Sequence, residues 1–257
     1  MTGALRMDLN ADLGELPDPE GRASDAAILA SVTSCAIACG GHAGSPAVMS
    51  ETLKLADRLG VICGAHPSYP DRENFGRKSL AISSSELVRS LMEQLERLII
   101  VARDEGIPLH HVKPHGALYN DAARSSEIAN AVIEAVRGSF SDEQPAIICQ
   151  PGFSLADAAS AAGLDVLGEG FIDRAYRDDG TLQPRTRPGA VIASTEERVR
   201  QARQITLHRD VTTDSGVRPL KVQTLCIHGD SPGAPETARA VKAALQSDGV
   251  RVAPYTE

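Results

Sequence analysis

The segment Asn10-Ala11-Asp12-Leu13-Gly14-Glu15 puts a carboxamide and two carboxylates within six residues. Further along stand His42, His66, Lys113-Pro114-His115, Glu169, Asp173-Arg174 and His228-Gly229-Asp230, most of them beside Gly or Pro, the company of a turn. His42 and His66, with Asp12 or Asn10 nearby, are the donor types that hold a divalent metal. A hydrogen-bonded histidine pair that orients loops would use the same residues. Cys35, Cys39 and His42 are loosely spaced like zinc ligands, although a buried strand accounts for both cysteines equally well. Lys113 and His115 are two apart and face the same way on an extended strand. Together they suit a lysine that stabilises a developing oxyanion and a histidine that shuttles protons; a structural lysine–carboxylate pair is the alternative. Arg174, beside Asp173, can clamp a substrate carboxylate bidentately or serve in a loop salt bridge. His228 and Asp230 flank a glycine that allows close backbone approach, as a ligand or a plain turn requires.

These residues must be positioned by the elements before them. Short apolar runs at Arg6–Leu9, Cys35–Cys39, Val61–Ala65, His111–Lys113, Ala146–Cys149, Asp165–Leu167 and Val222–Ile227 read as strands, with Val250–Val252 as a small extra one. Helical patterns lie between them. The clearest is Ser83–Arg103, where Ser83 and Glu86 have capping-box spacing and Leu87, Leu91, Leu95, Leu98 and Ala102 form a stripe. Ser45-Pro46 opens a second helix and Ser194 with Glu197 a third; Ala234, Ala238, Val241 and Leu245 line a fourth. Strand–helix alternation argues for a parallel sheet, open or closed into a barrel, and seven main strands lean towards closure. In both architectures function collects at the carboxyl ends of the strands. Six of the seven ends carry His, Asp, Glu or Lys, and four of the seven histidines fall there. Only the fifth, at Gln150-Pro151-Gly152, is bland.

The 257 residues carry a net charge of −8 and 3% aromatics, which disfavours phosphate backbones and base stacking, so no nucleic-acid partner is expected. The longest apolar run, Leu98–Ala102, is far short of the roughly 20 residues that span a bilayer. No secretory leader is apparent, and five cysteines in apolar surroundings suit reduced thiols, so a cytoplasmic location without membrane contact is expected. There is no phosphate loop, dinucleotide fingerprint or nucleophile elbow, which leaves water as the expected nucleophile.

In order along the chain, MDLNADLGE, ASVTSCAIACGGHAG, GAHPSYPDRENFGR, HVKPHGALYN, DRAYRDDGTLQPR and CIHGD resemble the LamB/YcsF family from about Met7 to Val252. The resemblance implies a single-domain, seven-stranded parallel β/α barrel of the polysaccharide-deacetylase-like type, here taken as 1–257. It also implies the ATP-dependent opening of 5-oxo-L-proline to L-glutamate as the A subunit of a 5-oxoprolinase, with partner subunits B and C handling the nucleotide. On that basis Asp12, His115 or Glu169 would move protons and Lys113 would stabilise charge on the ring oxygen. Asn10, Asp173, Arg174, His228 and Asp230 would bind substrate, and His42 and His66 would hold a metal if one is present. Lys113→Ala is then expected to lower turnover at least a hundredfold with the fold intact, a single donor contributing about 3–4 kcal/mol. Two other readings share the residues: an autonomous metal-dependent amidohydrolase or deacetylase built on Asp12, His42 and His66, and a non-catalytic subunit that presents the lactam. The chain departs from the family pattern at Ala36, Gly41 and Ser45, where Asn, Phe and Asp are usual, and adds LPDPEGR after Glu15.

Overall fold

The structure is a computed structural model that describes residues 5–140 and 144–256. In chain order the elements begin β1 (Arg6–Leu13), α1 (Pro19–Leu29), β2 (Ser34–Ala38), α2 (Pro46–Arg58) and β3 (Ile62–His66). There follow α3 (Ser84–Glu105), β4 (His111–Val112), α4 (Gly116–Arg124), α5 (Ser126–Ser139), β5 (Ala146–Cys149), α6 (Ser154–Ala161) and β6 (Val166–Phe171). The last are α7 (Thr195–Arg203), a π-helical turn at Gln204–His208, β7 (Asp210–Thr212), β8 (Val217–Pro219), β9 (Thr224–His228), α8 (Ala234–Ser247) and β10 (Arg251–Val252). Seven strands run parallel in the order β1-β2-β3-β4-β5-β6-β9, and β9 pairs back onto β1, closing the barrel. β7 and β8 form a separate antiparallel hairpin that the local sequence pattern does not announce.

β1 is longer than its apolar run. Met7, Leu9, Ala11 and Leu13 occupy one face and Asp8, Asn10 and Asp12 the other, all buried. Asn10 reaches Thr224, Glu169 and Lys113, which lie on or beside three other strands, so this polar face is the barrel interior. Asn10 and Asp12, expected in a loop, therefore sit on a rigid strand. A sheet covered by helices outside and filled with hydrogen-bonded polar groups inside alternates apolar and polar, and the polar half resembles a loop in sequence. The lower interior is closed by Asp8, which accepts from Thr33, Ser34 and Thr224, and by His111, whose Nδ1 lies 3.0 Å from the Tyr255 hydroxyl.

The outer layer follows the expected signals. Ser83 and Glu86 make the reciprocal capping box of α3, and its five-residue stripe is at most 2% exposed. Each such leucine contributes about 1.5–3 kcal/mol on burial. Ser45 and Ser194 cap α2 and α7 as anticipated. The 172–193 segment after β6 folds beside the mouth, with bridges Arg174–Val191 and Tyr176–Leu182; Gln201 ties it down through the carbonyls of Phe171 and Arg174. The β7–β8 hairpin braces it from outside through Asp214 to Gln183 and Arg187. No helix among the described residues is long and apolar enough to cross a membrane.

Candidate active site

A pocket of about 250 Å³ opens at the carboxyl ends of the strands and reaches Asp12, His66, Lys113, His115, Phe171 and His228. Its floor is Lys113, immediately after β4 and 2% exposed. Its Nζ stands 2.7 Å from Asp12 Oδ1, 2.7 Å from Glu169 Oε1, 2.9 Å from Asn10 Oδ1 and 3.1 Å from Cys226 Sγ. Burial works against its charge, but Asp12, Cys226 and Glu169 outweigh it and hold Lys113 well above the ordinary lysine range. Burial likewise opposes the Asp12 charge, but His66, Lys113 and His228 keep its carboxyl well below the usual range. Four acceptors surround an ammonium that has three N–H bonds. Lys113 is therefore a counter-ion that fixes Asp12 and Glu169, with no donor left over for a substrate oxygen.

On one side of this floor Glu15, His42, His66 and His115 converge, one ligand atom of each lying within 4.8 Å of the others. Gly14 makes this possible: at φ +72 it turns the chain at the end of β1 so that Glu15 points back over the mouth. Glu15 Oε1 is 3.0 Å from His42 Nε2, 3.3 Å from His115 Nδ1 and 3.9 Å from His66 Nε2. His42 stacks on His115 with centroids 3.7 Å apart. Burial brings the imidazoles down, His42 to about 3, His115 to about 4 and His66 well below the ordinary value. It pushes the Glu15 carboxyl up to about 7.

The tautomers follow from the partners. A carbonyl only accepts, so His66 carries its proton on Nδ1, which lies 2.7 Å from the Lys113 carbonyl. His115 carries its own on Nε2, 2.9 Å from the Phe75 carbonyl. The two remaining nitrogens, His66 Nε2 and His115 Nδ1, are 3.0 Å apart and turn lone pairs towards each other and towards Glu15. Among the described residues, the only buried ammonium, Lys113, is taken up by Asp12 and Glu169, and Glu15 meets the three imidazoles instead. Converging lone pairs and this excess of negative charge fit a divalent cation held by Glu15, His42, His66 and His115. Cys35 takes no part, and Cys39 accepts from the His66 backbone N–H instead of joining His42.

On the other side His228 Nδ1 lies 2.9 Å from both oxygens of Asp173, leaving Nε2 as its free nitrogen. Burial opposes the Asp173 charge, but His228 outweighs it and takes the carboxyl down to about 2. Asp230 pairs with Arg77 at the rim. Arg174 lines the pocket, but its Nε and Nη2 donate to the carbonyls of Ala190 and Gln183, so two of its three nitrogens hold the loop. Arg185, at the rim, has no hydrogen-bond partner among the described residues. The eleven residues assigned a catalytic, binding or metal-holding role from the sequence thus gather in or beneath one mouth, with Asn10 and Glu169 buried in its floor. Glu15, noted at the first strand end but given no role there, stands at the centre of the cluster, and Arg185 at the rim was not singled out. For Glu15 the available signal was its place one residue past Gly14, three after Asp12.

This fold and site define a closed β/α barrel with a buried polar floor and a histidine–carboxylate cluster at its mouth. The chain belongs to the LamB/YcsF family, which it matches over residues 7–257. It is 45% identical to the A subunit of 5-oxoprolinase from Methylococcus capsulatus, over 97% of this chain and 96% of that protein. It also resembles the crystal structure of the lactam utilization protein from Thermus thermophilus, with TM-score 0.89 and 41% identity over 98% of this chain and all of that one. A peptidoglycan deacetylase from Bacillus subtilis shares the fold alone, with TM-score 0.51 and 13% identity over 99% of this chain and 89% of that one.

Proposed function

We propose that this chain is the A subunit of an ATP-dependent 5-oxoprolinase, hydrolysing the lactam of 5-oxo-L-proline to L-glutamate together with B and C subunits that handle the nucleotide. The observation that carries the chemistry is the pocket floor, where a locked Asp12–Lys113–Glu169 group joins an oriented His228–Asp173 pair on one side and the Glu15 cluster on the other. The names borne by relatives of nearly equal length supply the substrate.

Ring opening adds one water: its oxygen bonds to the lactam carbonyl carbon, the C–N bond breaks, and the nitrogen gains a proton. Asp173 holds the His228 ring so that Nε2 faces the pocket, where it can take a proton from the attacking water and return it to the leaving nitrogen. Lys113 keeps Asp12 ionised and immobile, so Asp12 Oδ2, 3.5 Å from His66 Nε2, orients the reacting groups and does not itself titrate. This replaces the oxyanion role first expected of Lys113. Asn10 and Glu169 hold the floor from below. A cation in the Glu15 cluster would polarise the carbonyl and acidify a water. The lactam carboxylate would meet Arg185 and the free edge of Arg174.

A second reading, an autonomous metal-dependent amidohydrolase, is favoured by the cluster alone. Glutamate release from 5-oxoproline, measured for the purified chain with and without ATP and for the chain mixed with its two partner subunits, separates the two. Release only in the mixture with ATP is the expected result. ATP-independent release by the lone chain, abolished by a chelator, would transfer the assignment to the second reading. No release in any mixture would overturn both.

A further inference from the structure

The inner face of α3 buries seven side chains, and six are apolar. The exception is Gln94, 3% exposed. A carboxamide in such a place is costly unless its hydrogen bonds are made. Here Oε1 accepts from the Ser68 backbone N–H at 3.0 Å and Nε2 donates to the Ser68 carbonyl at 2.9 Å, the double pairing of a strand rung. Ser68 is fully buried and stands two residues after His66, so a leucine at 94 would pack α3 as well but leave that backbone unpaired.

Three residues along the same helix, Arg97 Nη1 donates to the Cys39 carbonyl at 3.1 Å, three residues before His42. Two bare positions make room for these side chains. A Cβ at Gly41 would stand 2.2 Å from Gln94 Oε1, and one at Gly40 would stand 2.3 Å from Arg97 Nη1. The loops themselves touch where the His66 N–H meets Cys39 Sγ at 3.2 Å. The two segments that deliver His66 and His42 are therefore both fastened to one helix, at positions that share a face.

We infer that Gln94 and Arg97 are positioning residues through which α3 sets the separation of His42 and His66, and with it the affinity of the Glu15 cluster for a divalent cation. The inference rests on the cation reading given above. Ligand distances are effective only within about 0.2 Å, so a loop released from its brace loses affinity without losing its fold.

The test uses the full chain stripped of metal. Ring ¹⁵N signals of His42 and His66 report the geometry without a cation, and calorimetric titration with zinc ion alone reports affinity. Gln94→Met keeps the length and removes both bonds, Arg97→Met removes the other brace, and Arg97→Lys restores a donor. The two Met variants are expected to shift the ring signals and to bind zinc about tenfold or more weakly, with Arg97→Lys recovering most of the loss. Unchanged ring signals, or unchanged zinc affinity, in a folded Met variant overturn the brace. If wild type binds no zinc while the variants still shift the ring signals, the cation reading fails and the brace stands as a device of loop geometry alone. Should Gln94→Met not fold, Arg97→Met decides, since Arg97 is exposed and its loss opens no cavity.

Discussion

Removing the Lys113 ammonium should cost stability as well as turnover. The lysine stands 2.7 Å from each of two buried carboxylates, and Glu169 would keep only neutral partners, the Asn10 amide 3.0 Å away and the Tyr119 hydroxyl. Stripping one partner from a buried ion pair costs about 3–5 kcal/mol, because the surviving charge is left in a medium that cannot solvate it. In a chain of this size each kcal/mol moves the melting midpoint by about 2–4 °C, so Lys113→Met should melt about 6–20 °C below wild type at pH 7. Asp12 is held below its unfolded value, so its contribution is present at neutral pH and lost as the solution is acidified through the folded value. The deficit of Lys113→Met should therefore shrink on acidification. Adding Glu169→Gln, which removes a stranded charge, should restore part of the midpoint. Thermal unfolding followed by circular dichroism at pH 7 and at pH 3, below the unfolded carboxylate value of 3.8, measures all of this. A midpoint within about 2 °C of wild type at pH 7, with no recovery in the double variant, would refute the counter-ion argument.

Two further outcomes follow from neighbouring groups. Asp25 accepts from the Gly14 N–H at 2.8 Å, and burial pushes its carboxyl up to about 6. Its raised value means that its contribution is complete below the unfolded value near 4 and is lost as pH rises through about 6. Asp25→Asn, which keeps the acceptor, should flatten that decline by on the order of 2 kcal/mol in denaturant titrations, and an unaltered slope would count against it. Arg185→Gln should raise KM for the lactam about tenfold, from loss of one charge-assisted bond, while kcat of the reconstituted complex stays within about twofold. An unchanged KM would remove Arg185 from the carboxylate site.

Much of this was legible in the sequence because local chemistry carries it. The capping box at Ser83 and Glu86, the Leu87–Ala102 stripe and the Ser45-Pro46 start depend on residues three or four apart and mark their helices whatever the rest of the chain does. The polar residues at six strand ends announced one functional rim, since parallel strands bring their carboxyl ends together. Three things were decided only by the tertiary structure. β1 runs on through Asn10 and Asp12, because a polar barrel interior makes an inward-facing strand look like a loop. The hairpin at Asp210–Pro219 and the braced 172–193 segment draw on contacts far apart in sequence. The roles of the site residues changed most. Lys113 and His115 sit two apart and looked like one catalytic pair, yet the closed barrel hands Lys113 to Asp12 and Glu169 and His115 to Glu15, His42 and His66. β4 ends at Val112, so neither side chain stands on a strand, and what each one meets is set by the other elements that close around the mouth.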